Sequence, residues 1–196
     1  MPDIGDSGWI YLSSLGENSL PHHAEIAEYV KARPKMKLAF QPGTFQIKLG
    51  KDVLKDIYEA SEVFFCNVQE AQKILKIDES DIKTLLNKMH ELGPKIIVIT
   101  DGPNGAYALH EEAAWHMPMY PDPKAPLDRT GAGDSFSSTF VSALALGEDV
   151  PTALSWAPIN SMSVVQEIGA QKGLLPKEKL DEFLANAPAD YKAREI

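Results

Sequence analysis

The chain has one cysteine, Cys66, in 196 residues, so no internal disulfide can form and a reducing compartment fits better than secretion. It lacks any apolar run approaching the length of a membrane span. Its opening residues, Met1 to Asp6, carry neither the basic stretch nor the apolar stretch of a secretory leader. Positive charge is also in short supply: 19 Lys+Arg stand against 28 Asp+Glu, a formal net charge of −9 that speaks against a nucleic-acid or anionic-membrane surface. Two nucleotide-binding signatures are missing as well. The absence of G-x-x-x-x-G-K-[ST] argues against a Walker-type NTPase, and the absence of G-x-G-x-x-G after the first strand removes the main support for a dinucleotide-binding dehydrogenase. No internal repeat or low-complexity tract stands out. The expectation is a cytoplasmic globular protein with small-molecule or protein partners. A composition 44% hydrophobic and 24% charged, over a length able to bury a core, points to a single domain spanning 1–196.

What the chain does contain is an alternation of strand and helix patterns. Short apolar runs at Trp9 to Leu12, Lys37 to Phe40, Val63 to Cys66 and Lys95 to Thr100 read as strands, and the third is apolar throughout, as in a parallel strand covered on both faces. Amphipathic helices are expected over Leu20 to Ala32, from about Lys51 to Ala60, from Asn67 to Leu75 and from Glu79 to Leu92. Gly43 to Gly50 reads as a loop. Ala106 to His110 and Ala114 to Met117 form a hairpin, and the proline-rich stretch from Pro118 to Pro126 reads as an irregular surface loop. A helix begins at Gly131 and stops at Gly147, another starts at Val150, and Pro158 inside it predicts a kink or break near Ala157. Pro176 to Leu184 is a last helix, with 187–196 as a loose tail. Alternating strands and helices imply right-handed crossovers, giving a doubly wound, mostly parallel α/β sheet with helices on both faces. Ligands in such folds sit beyond the C-terminal ends of the strands, where Gln41, Asn67 and Thr100 fall.

The most informative stretch is Asp128-Arg129-Thr130-Gly131-Ala132-Gly133-Asp134-Ser135-Phe136. Two glycines before a helical pattern allow a sharp turn and leave the amides of Ala132, Gly133 and Asp134 pointing outward, unpaired, at a helix N-terminus. Orphan donors and the positive end of the helix dipole make that an anion site. Asp134, a carboxylate placed where it competes with an anion, makes sense as a base for a hydroxyl attacking a bound phosphoryl group; the bland reading is a turn with an Asp complementing a dipole. Asn67 and Glu70 have the spacing of an N-cap and its N3 partner, and equally could hold a hydrated Mg²⁺ at a strand end. Thr100 to Gly105 is a tight turn whose glycines also let backbone approach a ligand. His22 and His23 cannot share a helix face and read as solvated. His90, His110 and His116 have no metal-ligand spacing and read as structural or exposed, and Cys66 as packed.

The string from Asp128 to Asp134 resembles the D-x-T-G-A-G-D signature of the PfkB, or ribokinase-like, family of sugar and nucleoside kinases. The resemblance implies ATP-dependent phosphoryl transfer to a hydroxymethyl group, with Asp134 as base and Gly131, Ala132 and Gly133 in the anion hole. It implies Mg²⁺ ordered through water by Asn67 and Glu70, and nucleotide contacts from Thr100, Gly102 and Gly105. Asp128 and Thr130 match the place where a K⁺ binds beside the phosphate site. Trp156 to Asn160 is similar to the helix flanking the adenine, making Ala157 and Asn160 nucleotide contacts, although Pro158 stands where the family has Asn or His. Family members are about half as long again, and their N-terminal lid and acceptor-binding segment have no counterpart here. Two expectations follow: the edge at Trp9 is covered by self-association into a homo-oligomer, and the alternative function is a nucleotide-binding module without acceptor phosphorylation.

Overall fold

A computed structural model of the chain describes residues 4, 5 and 7–196. Most of the opening stretch read above for a leader therefore lies outside the described residues. The chain divides into two compact units, one of Met1–Thr100 with Ala108–Ala114 and the other of Asp101–Tyr107 with Trp115–Ile196.

The first unit is built on four strands: β1 (Trp9–Leu12), β2 (Lys37–Phe40), β3 (Val63–Asn67) and β4 (Ile96–Thr100). They pair in parallel in chain order, with Leu12 opposite Phe40, Phe40 opposite Phe64, and Asn67 opposite Thr100. Leu38 to Phe40, Val63, Phe64 and Ile97 to Ile99 are fully buried, as unbroken apolar runs require of strands covered on both faces. Between the strands lie α1 (Leu20–Lys31), α2 (Thr44–Leu49), α3 (Lys55–Ala60), α4 (Val68–Leu75) and α5 (Ile82–His90). Phe40, Tyr58 and Phe64 form the aromatic centre of this unit, with ring centroids 5.2 to 5.7 Å apart.

Two readings are corrected here. The expected loop from Gly43 to Gly50 contains the helix α2, and its Gln46 is the reason. That side chain is fully buried; its oxygen accepts from the Gly43 and Leu15 amides and its nitrogen donates to the Ser13 carbonyl, so the segment after β1 and the helix's own N-cap are tied to one helical turn. His23 is buried rather than solvated, while His22 is exposed. The His23 Nδ1–H faces the Ser19 carbonyl at 3.0 Å, and Nε2 lies 3.3 Å from the Gln46 amide nitrogen, which donates to it.

Strands β5 (Ala106–His110), β6 (Ala113–Met117) and β7 (Arg194–Glu195) complete a seven-stranded mixed sheet whose order follows the chain. In the second unit α6 (Ala132–Ala145) packs on α7 (Val150–Val164), followed by α8 (Lys177–Ala185). α7 is continuous through Pro158, contrary to the expected break. Pro158 has no N–H for the Leu154 carbonyl, but both residues are buried among apolar neighbours that hold the helix together. The tail is also not loose. Tyr191 is buried and donates its hydroxyl to the Ser155 carbonyl at 2.6 Å, its ring meets Tyr120 at 4.8 Å, and β7 pairs antiparallel with β6.

Candidate functional site

The second unit places the glycine-rich turn at the head of α6. Gly131 is the N-cap, with φ of 81°, a left-handed conformation that side chains rarely adopt. A Cβ there would lie 2.5 Å from the Ala170 Cβ, so this glycine meets a steric requirement as well as a conformational one. The turn closes through the Ser135 amide on the Gly131 carbonyl at 2.8 Å. One of the three expected open amides is not open. The left-handed turn folds the Ala132 N–H back onto the Arg129 carbonyl at 3.3 Å. The Gly133 N–H makes no hydrogen bond among the described residues, and Gly133 and Asp134 are both exposed. The first turn thus offers a reduced cradle with a carboxylate beside it.

Asp128 braces this turn from behind. Its Oδ1 accepts from the Thr130 amide at 2.9 Å and its Oδ2 from the Gly169 amide at 3.1 Å. The Thr130 hydroxyl, then the Thr130 and Gly169 amides, hold its carboxyl below the usual carboxylate range. Asp128 and Thr130 are brought together, as the motif predicts, and Gly169 joins them from a distant stretch of chain. Ala157 and Asn160 lie on α7 with little surface to offer. Ala157 is fully buried, and Asn160 donates its amide to the Thr139 hydroxyl at 2.8 Å and accepts from the Leu175 N–H at 3.0 Å. Its visible work is to tie α6, α7 and the segment before α8 together.

Gly102 and Gly105 frame a turn in the same unit. The Asp101 N–H donates to the Gly105 carbonyl at 2.8 Å, and the Asn104 amide side chain donates to the Asp101 carboxylate at 2.9 Å. The His116 Nε2–H reaches the Asn104 carbonyl at 2.9 Å, so a histidine read only as structural or exposed holds this turn.

In the first unit, Asn67 ends β3 and caps α4. Its Oδ1 accepts from the Glu70 N–H at 2.9 Å while the Glu70 Oε2 accepts from the Asn67 N–H at 2.9 Å. Thr100 is the register partner of Asn67, so the structure gathers these three at the C-terminal ends of neighbouring parallel strands. The capping box uses one oxygen of Glu70, and among the described residues the other makes no hydrogen bond. Among the described residues no cluster of three or more His, Cys, Asp or Glu side chains forms a direct cage. A metal held here fits a hydrated Mg²⁺ rather than a stripped ion.

The model of the pfkB family of carbohydrate kinases matches residues 5–178. The chain belongs to the pfkB family. Bifunctional protein HldE of Pseudomonas aeruginosa strain UCBPP-PA14 is 30% identical over 164 residues, covering 82% of this chain and 32% of the relative. The ribokinase of Arabidopsis thaliana, solved with ribose and ATP, superposes with a TM-score of 0.79 at 20% identity, over 91% of this chain and 56% of that one. A protein of E. coli assigned as a ribokinase II, solved with ATP and Mg²⁺, gives a TM-score of 0.79 at 20% identity, over 92% and 59%. This pfkB-family chain thus spans about a third of the curated relative it matches and under two thirds of these structural neighbours. Its fold is that of the ribokinase-like kinases.

Proposed function

We propose that the chain catalyses ATP-dependent phosphoryl transfer to a hydroxymethyl group of a sugar or nucleoside. The observation that carries this reading is the exposed Gly133–Asp134 step at the N-terminus of α6, held by a left-handed Gly131 that tolerates no side chain. Asp134 takes the proton from the acceptor hydroxyl. The Gly133 amide and the positive end of α6 stabilise negative charge on the transferring group. Asn67 and Glu70 orient Mg²⁺ through water, and Thr100, Gly102 and Gly105 lie along the nucleotide. ATP with Mg²⁺ supplies the phosphoryl group and neutralises its charge. Asp128 and Thr130 are the residues for a K⁺ beside the turn, while Ala157 and Asn160 serve the nucleotide by fixing α7 rather than by direct contact. A cytoplasmic location and a homo-oligomer formed through β1 belong to the same reading. Among the described residues no helix is long and apolar enough to cross a membrane.

Asp134→Asn tests it. Turnover should fall by about 10²–10⁴-fold, the usual contribution of a general base, while ATP affinity by calorimetry stays within a few-fold. Retained turnover removes Asp134 from the mechanism. The second reading, a nucleotide-binding module without acceptor phosphorylation, draws on the partial span relative to the Arabidopsis enzyme. ADP release measured against a panel of sugars and nucleosides separates the two: ATP binding without acceptor-stimulated release favours the module.

A further inference from the structure

The peptide that joins Ala132 to Gly133 is one rigid unit, its oxygen on one side and the Gly133 N–H on the other. That oxygen accepts two hydroxyl hydrogen bonds, from Ser135 Oγ at 3.0 Å and from Ser161 Oγ at 3.0 Å. Hydrogen bonds in series polarise one another: donors on the carbonyl draw electron density toward it and make the N–H of the same peptide a stronger donor, by about 10–30% per bond. The N–H so strengthened makes no hydrogen bond among the described residues.

Ser135 is local to the turn, three residues on. Ser161 is not. It reaches from α7, and its neighbour Asn160 is clamped to Thr139 on α6 and to the Leu175 amide, which fixes the stretch of α7 from which Ser161 reaches. The same stretch of chain meets the glycine turn twice more, through Gly169 on Asp128 and through Ala170 against Gly131. We propose that Ser161 is a positioning residue that polarises the Ala132–Gly133 peptide and so strengthens the Gly133 N–H as an anion donor. Its catalytic consequence rests on the kinase reading; the polarisation itself does not.

The test uses the full chain, labelled with ¹⁵N, as wild type, Ser161→Ala and Ser161→Thr, with inorganic phosphate as the probe. Ser161→Ala should move the Gly133 amide proton upfield and weaken phosphate binding by about threefold, and Ser161→Thr, which keeps the hydroxyl, should restore both. In the turnover assay Ser161→Ala should lower kcat by about three- to tenfold and change the KM for ATP by less than about twofold, because a donor aimed at developing charge acts mainly in the transition state. A Gly133 resonance and phosphate affinity unchanged by Ser161→Ala overturn the proposal. Should the alanine variant not fold, Ser161→Cys, a weaker donor of similar size, should give an intermediate upfield shift, and no shift overturns the proposal equally. A wild-type chain without acceptor-dependent turnover whose Gly133 resonance still responds to Ser161→Ala keeps the polarised amide and sinks the kinase reading. Turnover abolished by Asp134→Asn but untouched, like the Gly133 resonance, by Ser161→Ala does the reverse.

Discussion

Two glycines with nearly the same φ allow strain to be separated from crowding. Gly131 and Gly147 have φ of 81° and 92°, but a Cβ at Gly147 meets nothing within 4 Å whereas one at Gly131 strikes Ala170. Gly147→Ala should therefore cost only the left-handed penalty, about 1–2 kcal/mol. Gly131→Ala should cost more by roughly 1–3 kcal/mol of overpacking, and should also weaken ATP binding as the head of α6 shifts. Urea unfolding of both variants beside an ATP titration checks this, and equal losses of stability would show that Ala170 yields freely. Gly131 was legible from the motif because two glycines ahead of a helical pattern allow a sharp turn. The partners of the turn were not: Gly169, Ala170 and Ser161 lie some thirty or more residues downstream on average, and no local periodicity announces which backbone groups a long-range contact will fill. The packing role of Asn160 was not legible for a related reason. A buried amide satisfied on both sides looks, in sequence, like any polar residue on a helix.

At the scale of elements, strands were the easiest to read and short helices the hardest. Unbroken apolar runs such as Ile96–Thr100 have one physical home, between two covered faces of a sheet. The six residues of α2 carry no such pattern, because the helix is held by Gln46 reaching segments far away in sequence. The strand starts are pinned by another long-range polar group. Glu62 lies between Lys95 at 2.8 Å and Lys37 at 3.1 Å, at the N-terminal ends of β2, β3 and β4. Burial pushes its carboxyl up, but the two ammonium groups outweigh that and hold it below the usual 4.5. A carboxyl with a lowered folded value adds stability that is fully present above its unfolded value and is lost as pH falls through the folded one. Stability followed by urea unfolding should therefore decline on its acid limb below about pH 4.5. Glu62→Gln should remove part of that decline and cost about 1 kcal/mol at neutral pH, a figure discounted for solvent screening because both lysines are largely exposed. An unchanged acid limb in Glu62→Gln would rule this carboxylate out as a contributor.

For the whole molecule, the fold class was legible because alternating strand and helix patterns admit few arrangements once crossovers are right-handed. The order of the tail was not legible, since Tyr191 and β7 depend on surfaces supplied by β6 and α7. The other end of the sheet carries the larger consequence. Among the described residues β1 pairs only with β2, and Trp9 and Ile10 on it are half-buried. A parallel edge of this kind presents backbone groups and apolar side chains to any strand of like register. Self-association through β1 works against charge, because each copy carries −9. The two effects predict a signature that a purely electrostatic contact does not share. Association measured by light scattering at micromolar concentration should tighten as salt rises from about 0.02 to 0.3 M, as screening removes the repulsion while the edge pairing persists. Ile10→Lys should return the chain to a monomer without changing its circular dichroism, since a charge on an edge strand blocks a partner but leaves the β1–β2 pairing intact. A wild-type chain that stays monomeric across that salt range would show that this edge needs no partner.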